Sequence, residues 1–206
     1  MSRRRLTAEQ RRERIHAAAS ELFAARGYAA TSIDQIAAAA GVTAPVIYDH
    51  AGSKRELYMD LLRAHASRLV EASTRVDPGA PMEQALRSNT AAFFAFVEDH
   101  PAAWRMLFGD PAPDPEIAAL QRQIQAAATT RLAEVLVGHA ERLRLGVELP
   151  RAQADEMVAE LGKSALNGLA AWWWEHRDVP RDALVAVALD VLWTGLERLT
   201  GYNGAA

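Results

Sequence analysis

The chain contains no cysteine among its 206 residues, and aromatic side chains make up only 7% of it. Without thiols there can be no disulfide, thiolate metal site or cysteine nucleophile, which fits a reducing compartment. No apolar run approaches the roughly 20 residues of a membrane span. The opening stretch MSRRRLTAEQRRERI is basic but lacks the apolar segment of a secretion signal, so a cytoplasmic protein with no membrane partner is expected. There is no glycine-rich phosphate loop, no G-x-S-x-G elbow and no HExxH motif. The histidines at 16, 50, 65, 100, 139 and 176 never fall four apart, so no metal or cofactor is expected. Glu156 and Glu160 lie one turn apart and read as a solvated face rather than an acid/base pair. Catalysis therefore has little to work with.

Charge is scarce in excess but uneven in placement. The formal net charge is −3, yet residues 1–55 carry nine Lys or Arg against five Asp or Glu, while the remainder carries 14 against 21. Positive potential at one end suits contact with phosphates. Arg3, Arg4 and Arg5 form an arm that can lie along a phosphate backbone or enter a minor groove. A merely solvated basic tail is the alternative.

What the chain has is helical periodicity from end to end, with no strand candidate and no solenoid-length repeat. The most specific stretch is TSIDQIAAAAGVTAPVIYDHAGSKREL, residues 31–57. Ser32 and Gln35 have capping-box spacing, Ile33, Ile36, Ala37 and Ala40 share one helical face, and Gly41 stands where the chain must turn. Val42 can plug the corner, Thr43 can cap a second helix, and Pro45 falls in its first turn, where no N–H bond is lost. Small alanines at 37–40 permit close crossing, so the unit reads as a helix-turn-helix. Thr7 and Gln10 open a preceding helix with Ile15, Ala18, Ala19, Leu22 and Phe23 facing inward until Gly27. Ser53 and Glu56 open a following one. Breaks at 77–81, 110–116, 146–150 and 177–180 divide the rest, giving about nine helices in an all-α chain.

The residues Thr31, Ile36, Ala37, Ala40, Gly41, Val42, Thr43, Ile47, Tyr48, His50, Lys54 and Leu57 closely resemble the pattern of the TetR-type (TetR/AcrR) bacterial transcriptional regulators. The match covers about the first 65 residues. Ala51 stands where the family usually has an aromatic, and Gly52 follows it. The resemblance implies a helix-turn-helix domain over 1–52 and a helical ligand-binding and dimerisation domain over 53–206. It also implies no enzymatic activity.

Ser32 and Thr43, at helix N-termini, can present hydroxyl and backbone N–H groups to phosphates. Ala44, Pro45 and Val46 face the bases; being apolar, they can touch thymine methyls but cannot make bidentate hydrogen bonds to guanine or adenine. Specificity then leans on DNA shape or on arginines outside this helix. Tyr48, His50 and Lys54 resemble the family's phosphate contacts. The final two helices carry small residues, Gly162, Ser164, Ala165, Gly168, Ala183, Ala186, Val187, Thr194 and Gly195, among Leu161, Leu169, Leu184, Val191 and Leu196. Such faces pack closely, either within the chain or against a second copy. The resemblance implies a homodimer through these helices, its paired readers matched to a palindromic operator in double-stranded DNA.

Phe93, Phe96, Trp104, Met106, Leu107, Phe108, Leu166, Trp172 and Trp173 are candidates for an effector cavity, with Asn167, Arg105 or His139 as a polar anchor. Consecutive Trp172, Trp173 and Trp174 point about 100° apart on a helix, so they cannot all face one pocket. The function expected is a repressor of neighbouring genes released by a bulky apolar small molecule. The alternative is a helical small-molecule binding protein or enzyme whose DNA-binding unit is vestigial.

Overall fold

The computed structural model describes residues 7–73, 80–139 and 148–200. The arginine arm at 3–5 and the side chain of His139 lie outside the described residues. Among those described there are nine helices and no strand: α1 (Ala8–Ala30), α2 (Ile33–Ala40), α3 (Ala44–Ala51), α4 (Lys54–Ser73), α5 (Met82–Asp99), α6 (Pro101–Phe108), α7 (Pro115–His139), α8 (Arg151–Glu175) and α9 (Arg181–Thr200). No described helix is long and apolar enough to cross a membrane.

Local chemistry sets many of these boundaries. Thr7 and Gln10 close a two-way capping box at the start of α1, the hydroxyl accepting from Gln10 N–H at 3.2 Å and the amide oxygen from Thr7 N–H at 3.1 Å. Regular helix stops at Gly27, where φ is +76°. Pro101 and Pro115 each sit at a first helical position.

The chain divides into two compact units, residues 1–67 with 100–124 and residues 68–99 with 125–206, so α4 and α7 are each shared between them. In the first unit α1 packs on α2 and α6, and α2 on α3. Its core is built from Ile15, Ile36, Ile47, Leu57, Leu61, Leu62, Met106, Leu107 and Ile117, all fully buried. Inside it Ser20 Oγ lies 3.0 Å from His65 Nε2, and the Gln121 amide donates to Met106 O and accepts from Ala112 N–H, both at 3.1 Å. In the second unit α5 packs on α8 and α9, which also meet each other. Phe94 is completely buried there, edge-on to Trp173. Met82 and Ala159 anchor a second cluster with Leu132, Ala133, Val158, Trp193 and Leu196.

Candidate nucleic-acid interface

Helix α2 is held at both ends by its own sequence. Ser32 Oγ accepts from Gln35 N–H at 3.2 Å while Gln35 Oε1 accepts from Ser32 N–H at 3.0 Å. At the other end Gly41 takes the left-handed conformation, φ 68° and ψ 35°. The N–H groups of Val42 and Gly41 then reach back to Ala37 O and Ala38 O at 3.0 and 3.3 Å. Ile33, Ile36, Ala37 and Ala40 form its buried face, as their spacing predicts.

Helix α3 buries one side chain fully, Ile47. Ala44 and Val46 are half-buried, and Thr43, Pro45, Asp49 and His50 are exposed. Tyr48 is 51% exposed. The expectation that the Thr43 hydroxyl caps α3 is corrected: it makes no capping bond. Pro45 has no N–H to offer, and the Val46 N–H is taken by the Thr43 carbonyl at 3.0 Å. The hydroxyl is therefore not spent on the helix. Ser32 accepts in its capping box but keeps its own O–H as a donor.

The mount behind α3 is short and closed by hydrogen bonds. The Gly52 N–H closes the helix onto Tyr48 O at 2.8 Å, and the Ser53 N–H reaches Ala51 O at 2.6 Å across Gly52, whose φ is 67° and ψ −50°. This is a γ-turn of the strained hand, which glycine tolerates because it lacks Cβ. Ser53 Oγ then accepts from Glu56 N–H at 3.1 Å to start α4. The departure Ala51–Gly52 thus produces a two-residue connection with defined geometry.

Lys54 faces inward. Its ammonium donates to Tyr28 O and Thr31 O, both at 3.0 Å, and stands 4.3 Å from the Tyr28 ring centre. Thr31 is itself buried and donates to Gly27 O at 2.9 Å. Together they satisfy carbonyls at the end of α1, whose last turn has no basic residue. Two of the three Lys54 donors are used there. Phe23 and Tyr28 stack near this point with Tyr58 edge-on to both, and burial pushes the Tyr58 hydroxyl's pKa up. His50 Nε2 meets His16 Nε2 at 3.1 Å, joining the last turn of α3 to α1. The tautomers decide which ring donates and which accepts. Sequence reasoning missed His16, Tyr28 and Thr31 as supports, because they act across 23 to 34 positions.

The structure distributes the candidate effector residues across both units. Trp104, Met106 and Leu107 are buried in α6 of the first unit and Phe108 is half-buried. Phe93 and Phe96 are buried in α5 of the second. There Leu166 is half-buried and the Asn167 amide donates to Lys163 O at 3.0 Å. Trp173 is buried with its Nε1–H on Val179 O at 2.8 Å, whereas Trp172 is 46% exposed and lies flat on His176, ring centres 4.0 Å apart. A groove of about 870 Å³ in the second unit is lined by other residues, including Met157, Leu161, Lys163 and Leu199. Glu160 is more than a solvated carboxylate. Lys163 lies 2.7 Å away and the Thr129 hydroxyl donates to it at 2.6 Å, and these bonds hold its pKa below the usual range.

Residues 15–61 match the family model of bacterial regulatory proteins, tetR family. The HTH-type transcriptional activator FasR of Mycolicibacterium smegmatis is 33% identical over 199 residues, covering 95% of this chain and 87% of that one. A TetR-like transcriptional regulator from Rhodococcus sp. RHA1 superposes with a TM-score of 0.78 at 26% identity, over 93% of this chain and 98% of its own. The fatty acid degradation regulator FadR from Bacillus halodurans shares the fold, with a TM-score of 0.71 at 19% identity over 92% and 96% of the two chains. Regulators of this family bind operator DNA and dimerise. This chain, a ligand-responsive DNA-binding transcription regulator with a helix-turn-helix held by caps, a γ-turn and an inward lysine, belongs to the tetR family of bacterial regulatory proteins.

Proposed function

We propose that this regulator works in the cytoplasm as a homodimer on a palindromic operator, with residues 1–52 as the DNA-binding part and 53–206 as the effector-binding and dimerising part. The observation that carries the DNA assignment is the exposed face of α3, which keeps Thr43, Pro45, Tyr48 and His50 outward on a helix anchored by Ile47. Ser32, Thr43, Tyr48 and His50 contact phosphates, with Lys54 adding its remaining N–H while holding the end of α1. Ala44, Pro45 and Val46 pack against base edges, chiefly thymine methyls. Pairing of copies runs through α8 and α9. Leu161 and Val191 are each 69% exposed on these helices, and Met157 and Val187 are exposed beside them, an apolar surface that water does not favour.

The effector is a bulky apolar molecule held among side chains of the second unit drawn from Phe93, Phe96, Leu166, Asn167 and Trp173. Trp172 is better placed at the surface. Effector binding loosens the operator complex and relieves repression of neighbouring genes. A second reading, activation, is favoured by the 33% identical FasR, which is a transcriptional activator, and it uses the same DNA chemistry.

Selection of bound duplexes from random DNA tests the reading. The expected product is an inverted repeat whose affinity falls as salt rises, with log affinity linear in log salt. Tyr48→Ala should weaken binding on all sequences alike, whereas Val46→Ala should change preference at one base step. A salt slope near zero would rule out phosphate neutralisation.

A further inference from the structure

Arg55 is the second residue of α4, just past the turn that carries α3. Its Nε donates to Asp114 Oδ2 at 2.8 Å, and its Nη1 donates to Glu116 Oε1 at 3.1 Å. The second oxygen of Asp114 accepts from the N–H groups of Glu116 and Ile117 at 3.0 and 3.3 Å, capping α7. One carboxylate therefore starts α7 and receives the guanidinium. Ile117 is fully buried, so this corner is fixed to the core of the first unit. Burial raises the Asp114 pKa, but the Ile117 N–H, the Arg55 guanidinium and the Glu116 N–H outweigh it and hold the carboxyl below the ordinary aspartate range. Tyr28, beneath Lys54, belongs to the same neighbourhood: burial and then the negative charge of Asp114 push its hydroxyl up, while Arg55 opposes them. The pair spans 59 positions and uses none of the residues assigned to the DNA face.

We propose that Arg55 and Asp114 are positioning residues for operator binding: through them the first turn of α7 holds the Gly52 turn, and so α3, at the angle that DNA requires. The proposal rests on the reading of this chain as an operator-binding regulator. The same pair is the point at which a displacement of the first turn of α7 would reach α3. Arg55 Nε and Nη1 are engaged by the two carboxylates, so any phosphate contact by this arginine would fall to its remaining N–H groups.

The sign of one substitution separates positioning from plain electrostatics. Asp114→Asn keeps an oxygen to cap α7 and removes a negative charge from a DNA-binding unit, so electrostatics alone makes it bind DNA more tightly. Positioning makes it bind more weakly, by roughly 2- to 30-fold. Arg55→Lys keeps the charge, loses the two-pronged geometry, leaves the Asp114 cap intact and should fall in the same range. It carries the test alone if Asp114→Asn does not fold. The probe is a duplex selected from random DNA by the wild-type chain, followed by anisotropy across a salt series, with circular dichroism melts to verify folding. Weaker binding by both variants with an unchanged salt slope supports the proposal, as does an Arg55→Ala/Asp114→Asn double variant no weaker than Arg55→Ala. Tighter or unchanged binding by Asp114→Asn, or unchanged binding by Arg55→Lys, overturns it. So does an Arg55→Ala salt slope reduced by about one, which marks a phosphate contact instead. If the wild-type chain selects no duplex at all, the operator-binding reading itself fails.

Discussion

Gly52 offers the sharpest test of how α3 is held. Its φ of 67° and ψ of −50° lie outside even the left-handed helical region, and an added Cβ would run into the Glu56 carboxylate. Holding a residue with Cβ in so sparse a region costs about 1–3 kcal/mol. Alanine recovers about 0.4–1 kcal/mol by restricting the unfolded chain, which leaves a net loss of about 1–2 kcal/mol for Gly52→Ala. The Glu56 contact involves the tip of a flexible side chain, so it should add little, and Glu56→Ala should not rescue the variant. Gly41 is the control. Its φ of 68° and ψ of 35° suit asparagine, and nothing lies within 4 Å of a Cβ there. Gly41→Asn should therefore stay within about 0.5 kcal/mol of wild type. Chemical denaturation at one fixed protomer concentration measures both differences, because the stability of a dimer depends on concentration. Operator affinity should fall for Gly52→Ala and hold for Gly41→Asn, since asparagine keeps the Gly41 geometry whereas alanine does not suit that of Gly52. Equal stability and equal DNA affinity for the two variants would refute the claim that the γ-turn mounts the reader.

Three further outcomes follow from the same geometry. Lys54→Met should cost about 1.5–3 kcal/mol of stability, because two charge-assisted bonds to buried-end carbonyls vanish; a normal melting temperature together with a salt slope reduced by about one would make Lys54 a phosphate contact and nothing more. Leu161→Glu and Val191→Glu, at positions 69% exposed in one chain, should leave the helix content of the protomer unchanged but shift sedimentation from dimer to monomer and lower operator affinity at least tenfold; dimers that survive both changes would move the interface elsewhere. The pKa of Asp114 is depressed in the folded chain, so its contribution is present above the ordinary aspartate range and is lost as pH falls through the lower folded value. The melting temperature gap between wild type and Asp114→Asn should accordingly be widest near neutrality and close in acid, and a gap independent of pH would contradict the cap and ion pair.

The helix-turn-helix was legible because its determinants are local. A capping box spans three residues, the turn needs one glycine, and Pro45 sits where a helix can take it. Even so, local reasoning assigned Thr43 a cap that Pro45 and the Thr43 carbonyl make unnecessary. Lys54 shows the other limit. From sequence it is a cation beside a DNA-facing helix, and phosphate is the evident partner. The folded chain brings to it the end of α1, where carbonyls without a basic residue nearby need donors. No spacing rule announces that encounter, nor those of His16 with His50 or Arg55 with Asp114, because the partners are fixed by packing between distant segments.

The second unit was harder to read for a physical reason that its aromatic and small residues share. Apolar burial looks the same in a sequence whether a side chain meets its own chain, a second copy or a ligand. On α9, Leu184 is buried within the chain while Val187 and Val191 are exposed, although all three belong to one small-and-aliphatic pattern. On α8, Trp173 goes inward and Trp172 and Trp174 go outward, as their 100° steps require. Trp172 then covers His176, and Trp174 lies 4.6 Å from the Arg177 guanidinium, so each exposed ring finds a cation-capable neighbour at the end of α8. Aromatic rings that meet each other and the core are spent on stability, which is why a cluster of them in sequence is weak grounds for a cavity. Exposed aliphatic residues carry more information: Leu161 and Val191 are each 69% exposed, and the proposed pairing of copies through α8 and α9 would remove them from water.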